Sequence, residues 1–199
     1  GLFPGSRRSE ISYLLDDMLG AAALLRRELG RCQFLLPVAD TLDPAPIRAR
    51  AARASVDVKV IQGGNYEVMQ VSDFLICASG SATLEAALFA CPMVVIYRVN
   101  RLSQALLGWL VKIRYFGLVN IVAQEGVVTE LLNDAVTPRR IADEALAILG
   151  DPGRGRAVRE RLAEIRQSLG APGVLQRIAG NMALEMGLSA QDEDETASF

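Results

Sequence analysis

Asp73-Phe74-Leu75-Ile76-Cys77-Ala78-Ser79-Gly80-Ser81-Ala82-Thr83-Leu84-Glu85, running on to Pro92-Met93-Val94-Val95-Ile96-Tyr97, is the stretch that decides the fold. It opens with a short apolar run that closes on a turn of small residues. Ser81 to Ala90 then has the composition of a helix, and a second apolar run follows at once. Apolar run, glycine turn, helix and apolar run make a βαβ unit. Strands this uniformly apolar are buried on both faces, which calls for a parallel sheet covered by helices on each side.

Toward the N-terminus the same alternation continues. Cys32 to Val38 and Asp57 to Ile61 read as two more strands, and Gln62-Gly63-Gly64-Asn65 as a turn before a short helix from Tyr66 to Val71. Asp43-Pro44 is a cap followed by proline, opening a helix through Arg53. From Arg8 to Leu29, apolar residues fall three and four apart (Leu14, Leu15, Met18, Leu19, Ala22, Leu25), with Gly30 as the stop. Leu2-Phe3 reads as the end of a strand before the turn at Pro4-Gly5, and with no initial Met the chain is expected to start inside a longer polypeptide.

Toward the C-terminus, Asn120 to Val122 forms a short segment, and Thr137-Pro138 and Asp151-Pro152 announce helices. One apolar stripe runs through Val158, Leu162, Ile165 and Leu169, and another through Val174, Ile178, Met182 and Met186. The expected organisation is α/β: a Rossmann-like, doubly wound parallel sheet over 1–170, with extra C-terminal helices. The last of these, within 171–188, needs a partner surface, and the acidic tail 189–199 is expected to be disordered. The partner would be a missing N-terminal domain or a second copy, in the latter case a domain-swapped homodimer.

Composition removes several function classes. The formal charge is −2, and removing the four acids Asp192 to Glu195 from the count turns it to +2, so no long basic stripe invites nucleic acid. There is no histidine, which excludes imidazole chemistry within the chain, and nothing suggests a metal site. Cys32, Cys77 and Cys91 are odd in number and lie in apolar settings, as reduced thiols in a cytosolic protein do. Only Lys59 and Lys112 are lysine, so nearly all cations are guanidinium groups suited to bidentate phosphate contacts. Leu102, Ala105, Leu106, Trp109, Leu110 and Ile113, between Arg101 and Arg114, form either a core-facing helix or one lying on a membrane surface. No stretch is long enough to span a bilayer.

In a doubly wound sheet, ligands sit beyond the carboxyl ends of the strands, where loops lead into helix N-termini. Two such loops stand out. In Pro4-Gly5-Ser6-Arg7-Arg8, glycine allows the backbone to approach an anion, and Arg7 is either its charged partner or a solvated surface residue. In Ser79-Gly80-Ser81-Ala82-Thr83-Leu84-Glu85, small residues and hydroxyls leave room for phosphate. A capping box puts its acid three residues after the cap. Glu85 lies four after Ser81 and three after Ala82, a poor cap, so it either serves the helix dipole behind a Ser81 cap or has its carboxylate free to accept from the vicinal hydroxyls of a ribose.

Leu2-Phe3-Pro4-Gly5-Ser6-Arg7, Ala78 through Glu85 and Cys91-Pro92-Met93-Val94-Val95-Ile96-Tyr97-Arg98, in this order and at these separations, resemble the lipid-A-disaccharide synthases. The resemblance continues through Leu110-Val111-Lys112, Asn120-Ile121-Val122-Ala123, Glu130-Leu131-Leu132 and Thr137-Pro138, and covers only the family's C-terminal half. It implies the C-terminal domain of a GT-B glycosyltransferase, which binds a UDP-sugar without metal or cofactor. The implied reaction moves 2,3-diacylglucosamine from UDP to the 6-hydroxyl of 2,3-diacylglucosamine 1-phosphate, with inversion, giving a β-1,6 disaccharide precursor of lipid A.

Carried onto this sequence, the resemblance puts Gly5, Ser6 and Arg7 at the pyrophosphate, together with Ser79, the Gly80-Ser81-Ala82 amides and the Ser81 and Thr83 hydroxyls. Glu85 would hold the ribose and Asn120 would line the sugar side. The catalytic base, the lipid acceptor site and the missing half of the enzyme are expected upstream, and the location on the cytoplasmic face of a Gram-negative inner membrane. Ser81 stands where the family usually has Thr, Val119 where it has Pro, and Asn133 where it has Gln. A non-catalytic nucleotide-sugar-binding module and another enzyme using UDP-N-acetylglucosamine are the alternatives.

Overall fold

The computed structural model describes residues 1–98, 114–170 and 173–185. The segment around Trp109 and the acidic tail therefore lie outside the described residues. The elements run β1 (Leu2–Phe3), α1 (Arg8–Leu29), β2 (Phe34–Val38), α2 (Ala45–Ala51), β3 (Val58–Gln62), α3 (Asn65–Val71), β4 (Leu75–Ala78) and α4 (Ser81–Leu88). They continue with β5 (Met93–Tyr97), α5 (Leu118–Ala123), β6 (Thr129–Leu132), a 3-10 turn (Asn133–Ala135), α6 (Pro138–Leu149), α7 (Pro152–Ser168) and α8 (Val174–Glu185).

Every pairing is parallel. One ladder runs β1-β4-β5-β6, with Phe3 opposite Cys77, Cys77 opposite Val95 and Val95 opposite Glu130. A second joins β2 to β3, and β2 lies beside β1. The spatial order is thus β3-β2-β1-β4-β5-β6. From β1 the chain builds outward to β3 and then returns to add β4, β5 and β6 on the other side, so the order reverses between β1 and β4.

Burial on both faces explains the uniformly apolar strands. Leu2, Ile76, Ala78, Val94 and Ile96 point into a core shared with α1 and α6, through residues such as Leu15, Met18, Ile141 and Ala145. Their neighbours Phe3, Leu75, Cys77, Met93 and Val95 point the other way, into a core with Val68, Met69, Ala86, Ala87, Leu162 and Ile165. The alternation of side chains along a strand divides the apolar runs between these two layers.

Helices α1 and α6 pack closely, with Gly20 against the ring of Pro138. A Cβ at position 20 would stand 2.8 Å from Pro138 Cγ. Pro138 opens α6 behind its Thr137 cap, whose hydroxyl accepts the Arg140 amide, so its ring cannot turn aside. Gly20→Ala gains about 1 kcal/mol of helix propensity but forces the two helices apart at a cost of about 1–3 kcal/mol. A net loss of stability on urea unfolding is the expected outcome.

Two elements depart from the sequence reading. Asn120 to Val122 belongs to a helix, α5, and a sixth strand, β6, forms where none is apparent from the pattern. In β6 only Leu131 is buried, because the strand lies at the sheet edge and its Glu130 turns to a hydrogen-bonding role described below. Two family departures also fit locally. Val119 occupies the first turn of α5, where proline is equally tolerated. Asn133 adopts φ +47°, a left-handed conformation that asparagine enters readily.

The chain divides into two compact units, 1–166 and 167–199. Within the second, α8 exposes Ile178 and Met182. Among the described residues no helix is long and apolar enough to cross a membrane.

Candidate functional site

Because the order reverses between β1 and β4, the chain leaves their carboxyl ends in opposite directions and opens a crevice there. Adjacent strands stand about 4.8 Å apart, so the loops after Phe3 and after Ala78 flank one small space.

On the β1 side, Gly5 holds φ +104°, a region that glycine alone enters without strain. The turn aims the amides of Ser6 and Arg7 at one point, and the Glu10 carboxylate sits there. Glu10 Oε2 accepts from Ser6 N–H at 3.1 Å and from Arg7 N–H at 3.3 Å, while Arg7 Nη1 donates to Glu10 Oε1 at 2.8 Å. The Arg7 side chain is 78% exposed.

On the β4 side, Gly80 is extended, at φ 162° and ψ −166°, and a Cβ there would meet nothing within 4 Å. Neither its conformation nor packing among the described residues demands glycine, and the bare backbone is open there. Ser81 starts α4 with its hydroxyl exposed, and Glu85 lies one turn on, on the same face of the helix. Among the described residues nothing donates to or pairs with the Glu85 carboxylate, which is half-buried. At the start of α4 the Thr83 amide donates back to Gly80 C=O at 3.2 Å, which leaves the Ser81 and Ala82 amides without an intrahelical acceptor at the positive end of the helix dipole.

Other residues named from the sequence face inward. Thr83 is fully buried and its hydroxyl donates to Gly80 C=O at 2.8 Å, which fixes the loop. Ser79 N–H donates to Ile96 C=O and its hydroxyl to Phe116 C=O at 2.8 Å, tying the loop to the segment before α5. Phe116 in turn stacks on Tyr97 at the end of β5, with centroids 6.2 Å apart.

Asn120 is 1% exposed, and its amide is fully engaged. Nδ2 donates to Val128 C=O at 2.8 Å and to Glu130 Oε1 at 2.7 Å, and Oδ1 accepts from Val128 N–H at 3.0 Å. Glu130 also accepts from Phe116 N–H at 2.7 Å and Gly117 N–H at 3.0 Å. Asn120 thus braces Glu130, which fixes the Phe116-Gly117 loop, which receives Ser79. Arg98 is likewise built into the frame: it pairs with Asp17 at 2.6 Å and donates to the carbonyls of Tyr13 and Val136.

The structure therefore brings together Gly5, Ser6, Arg7, Gly80, Ser81 and Glu85 around the crevice, and sets Ser79, Thr83 and Asn120 behind it. The bracing role of Glu130 and the carboxylate of Glu10 are the additions. The spacing Arg7-x-x-Glu10, with an acid at the third helical position, is the signal that marks Glu10.

Burial pushes the thiols of Cys77 and Cys91 up, that of Cys91 to about 11, so both remain protonated near neutrality. They are core residues. Among the described residues no group of three or more potential metal ligands converges. What the crevice offers is anion-binding amides, a guanidinium, a hydroxyl and one unpartnered carboxylate. That set suits a phosphorylated ligand carrying vicinal hydroxyls.

Comparison with known proteins agrees with this geometry. The family model for lipid-A-disaccharide synthetase matches residues 1–172. Curated relatives named lipid-A-disaccharide synthase include that of Syntrophus aciditrophicus, 44% identical over 179 residues, which cover 89% of this chain and 47% of the relative. That of Geobacter metallireducens is 43% identical over 186 residues, covering 94% and 48%, and that of Anaeromyxobacter dehalogenans is 44% identical over 179 residues, covering 89% and 47%. The chain spans about half the length of the curated relatives it matches. With the parallel sheet, its switch point and both flanking loops inside the matched region, the chain belongs to the lipid-A-disaccharide synthetase family.

Proposed function

We propose that this chain is the donor-binding half of a lipid-A-disaccharide synthase, an inverting glycosyltransferase that moves 2,3-diacylglucosamine from UDP to 2,3-diacylglucosamine 1-phosphate. The observation that carries the reading is the Glu85 carboxylate, unpartnered among the described residues and one turn along α4 from the open backbone of Gly80, after the strand that neighbours the one leading to Arg7. Glu85 would accept from the two ribose hydroxyls. The diphosphate would lie against the first amides of α4, the Ser81 hydroxyl and Arg7.

In the transfer, the acceptor's 6-hydroxyl oxygen forms a bond to the anomeric carbon as the bond from that carbon to the diphosphate oxygen breaks. The electron pair leaves with UDP, and the hydroxyl proton passes to a base on the other half of the enzyme. Charge therefore builds on the departing diphosphate, and helix amides with a guanidinium stabilise it where it develops. The acceptor is a lipid, which places the enzyme at the inner face of the Gram-negative inner membrane, with α8 docking on the N-terminal half or on a second copy.

Titration calorimetry of the 199-residue chain with UDP tests the donor site, and saturable one-to-one binding is expected. Transfer by the polypeptide that includes the upstream half tests the enzyme. UDP binding with no disaccharide product from that polypeptide would favour a non-catalytic nucleotide-sugar module. No binding at all would end the reading.

A further inference from the structure

The Glu10 carboxylate occupies the point on which the β1–α1 loop converges. It touches both loop amides and the guanidinium, and it packs against Gly5, whose φ of +104° already calls for glycine: a Cβ there would also stand 2.1 Å from Glu10 Oε2 and 2.9 Å from Glu10 Cβ. The loop so carries its own anion. Two loop amides and one arm of Arg7 are engaged before any ligand arrives, while Arg7 Nε and Nη2 have no partner among the described residues. On the other loop, among the described residues, a Cβ at Gly80 would meet nothing within 4 Å and the Glu85 carboxylate has no partner.

We infer that Glu10 is a positioning residue for the diphosphate: its carboxylate clamps the Gly5-Ser6-Arg7 turn and holds the Arg7 guanidinium by Nη1, leaving the remaining edge to reach the ligand. The inference rests on the reading that the crevice takes a UDP-sugar. Arg7 is largely exposed and long, with several rotatable bonds, and an untethered guanidinium loses that freedom on binding. A carboxylate three residues away, on the rigid first turn of α1, removes part of that cost in advance. It also makes the diphosphate contact depend on Glu10, although Glu10 itself touches no ligand. By the same geometry the diphosphate does not displace Glu10; it adds to Arg7 from the side of α4.

The test compares UDP with uridine, which lacks the diphosphate, on the 199-residue chain carrying Glu10→Ala, Glu10→Gln, Arg7→Ala or the Glu10→Ala/Arg7→Ala pair. Glu10→Ala is expected to weaken UDP about ten-fold and to leave uridine within about two-fold, since the loss concerns one charge-assisted contact. Glu10→Gln recovers part of the affinity, because its carbonyl still accepts from the loop. On the Arg7→Ala background, removing Glu10 adds little, as residues acting through one contact are not additive. UDP affinity unchanged or raised in Glu10→Ala overturns the inference, as do equal losses for UDP and uridine or additive losses in the pair. Should Glu10→Ala fail to fold, Glu10→Gln and Arg7→Ala carry the same comparison. If the unsubstituted chain binds no UDP, the reading of the crevice falls first and the inference with it; if it binds and the variants match it, the inference alone falls.

Discussion

Glu85→Ala is expected to reduce the affinity for UDP by about ten- to a hundred-fold, since a hydrogen bond to a charged group contributes about 1.5–3 kcal/mol. The melting temperature should hardly move. Glu85 has no hydrogen bond or ion pair among the described residues, so its removal breaks no such bond there. Alanine is also the better helix former, which offsets what little side-chain packing is lost. Calorimetry and thermal melts on the same preparation separate the two effects. A variant that binds UDP as tightly as the unsubstituted chain removes the ribose assignment. A variant that melts much lower shows that the carboxylate has a structural partner instead.

Asn120→Ala should behave in the opposite way, with stability lost first and binding affected only through it. The substitution leaves the N–H and C=O of Val128 unpaired in a buried setting and takes one donor from Glu130. Buried groups left without partners cost about 1–3 kcal/mol each, so a total of about 2–4 kcal/mol is expected after relaxation. For a chain of this size that corresponds to a fall of about 5–15 °C in melting temperature. The family resemblance implied a sugar-facing Asn120. Such a residue would weaken UDP-sugar binding with no change in melting, and the two measurements distinguish these roles directly.

Taken together, the pair describes a site in two layers. The outer layer holds groups left available among the described residues: the Ser81 hydroxyl, the Glu85 carboxylate and the edge of the Arg7 guanidinium that Glu10 does not hold. Behind it, Thr83, Ser79, Asn120 and Glu130 hold the loops in shape, through bonds that end on backbone carbonyls or amides. Preorganised donors of this kind are effective because they need no rearrangement when charge develops on the ligand.

The doubly wound sheet was legible in the linear order of residues, because burial on both faces leaves uninterrupted apolar runs such as Leu75 to Ala78 and Met93 to Tyr97. The turns after β1 and β4 were legible for a local reason: proline, glycine and small hydroxyl residues favour turns and helix starts. β6 was not, since an edge strand with one buried residue carries too little pattern to register. The direction in which a polar side chain turns was also hidden. Thr83 and Glu85 lie two residues apart in the same motif, yet one is buried against Gly80 C=O and the other is unpartnered, because successive positions on a helix point about 100° apart and only packing determines which faces the core. Asn120 and Glu130 owe their roles to contacts with backbone groups that composition and spacing do not specify, whereas Glu10 carries a signal in its spacing from Arg7. Periodicity records how much apolar surface a segment must bury, and so it carries the architecture; which polar atom meets which depends on distances of a few ångströms between segments, and those exist only once the chain has folded.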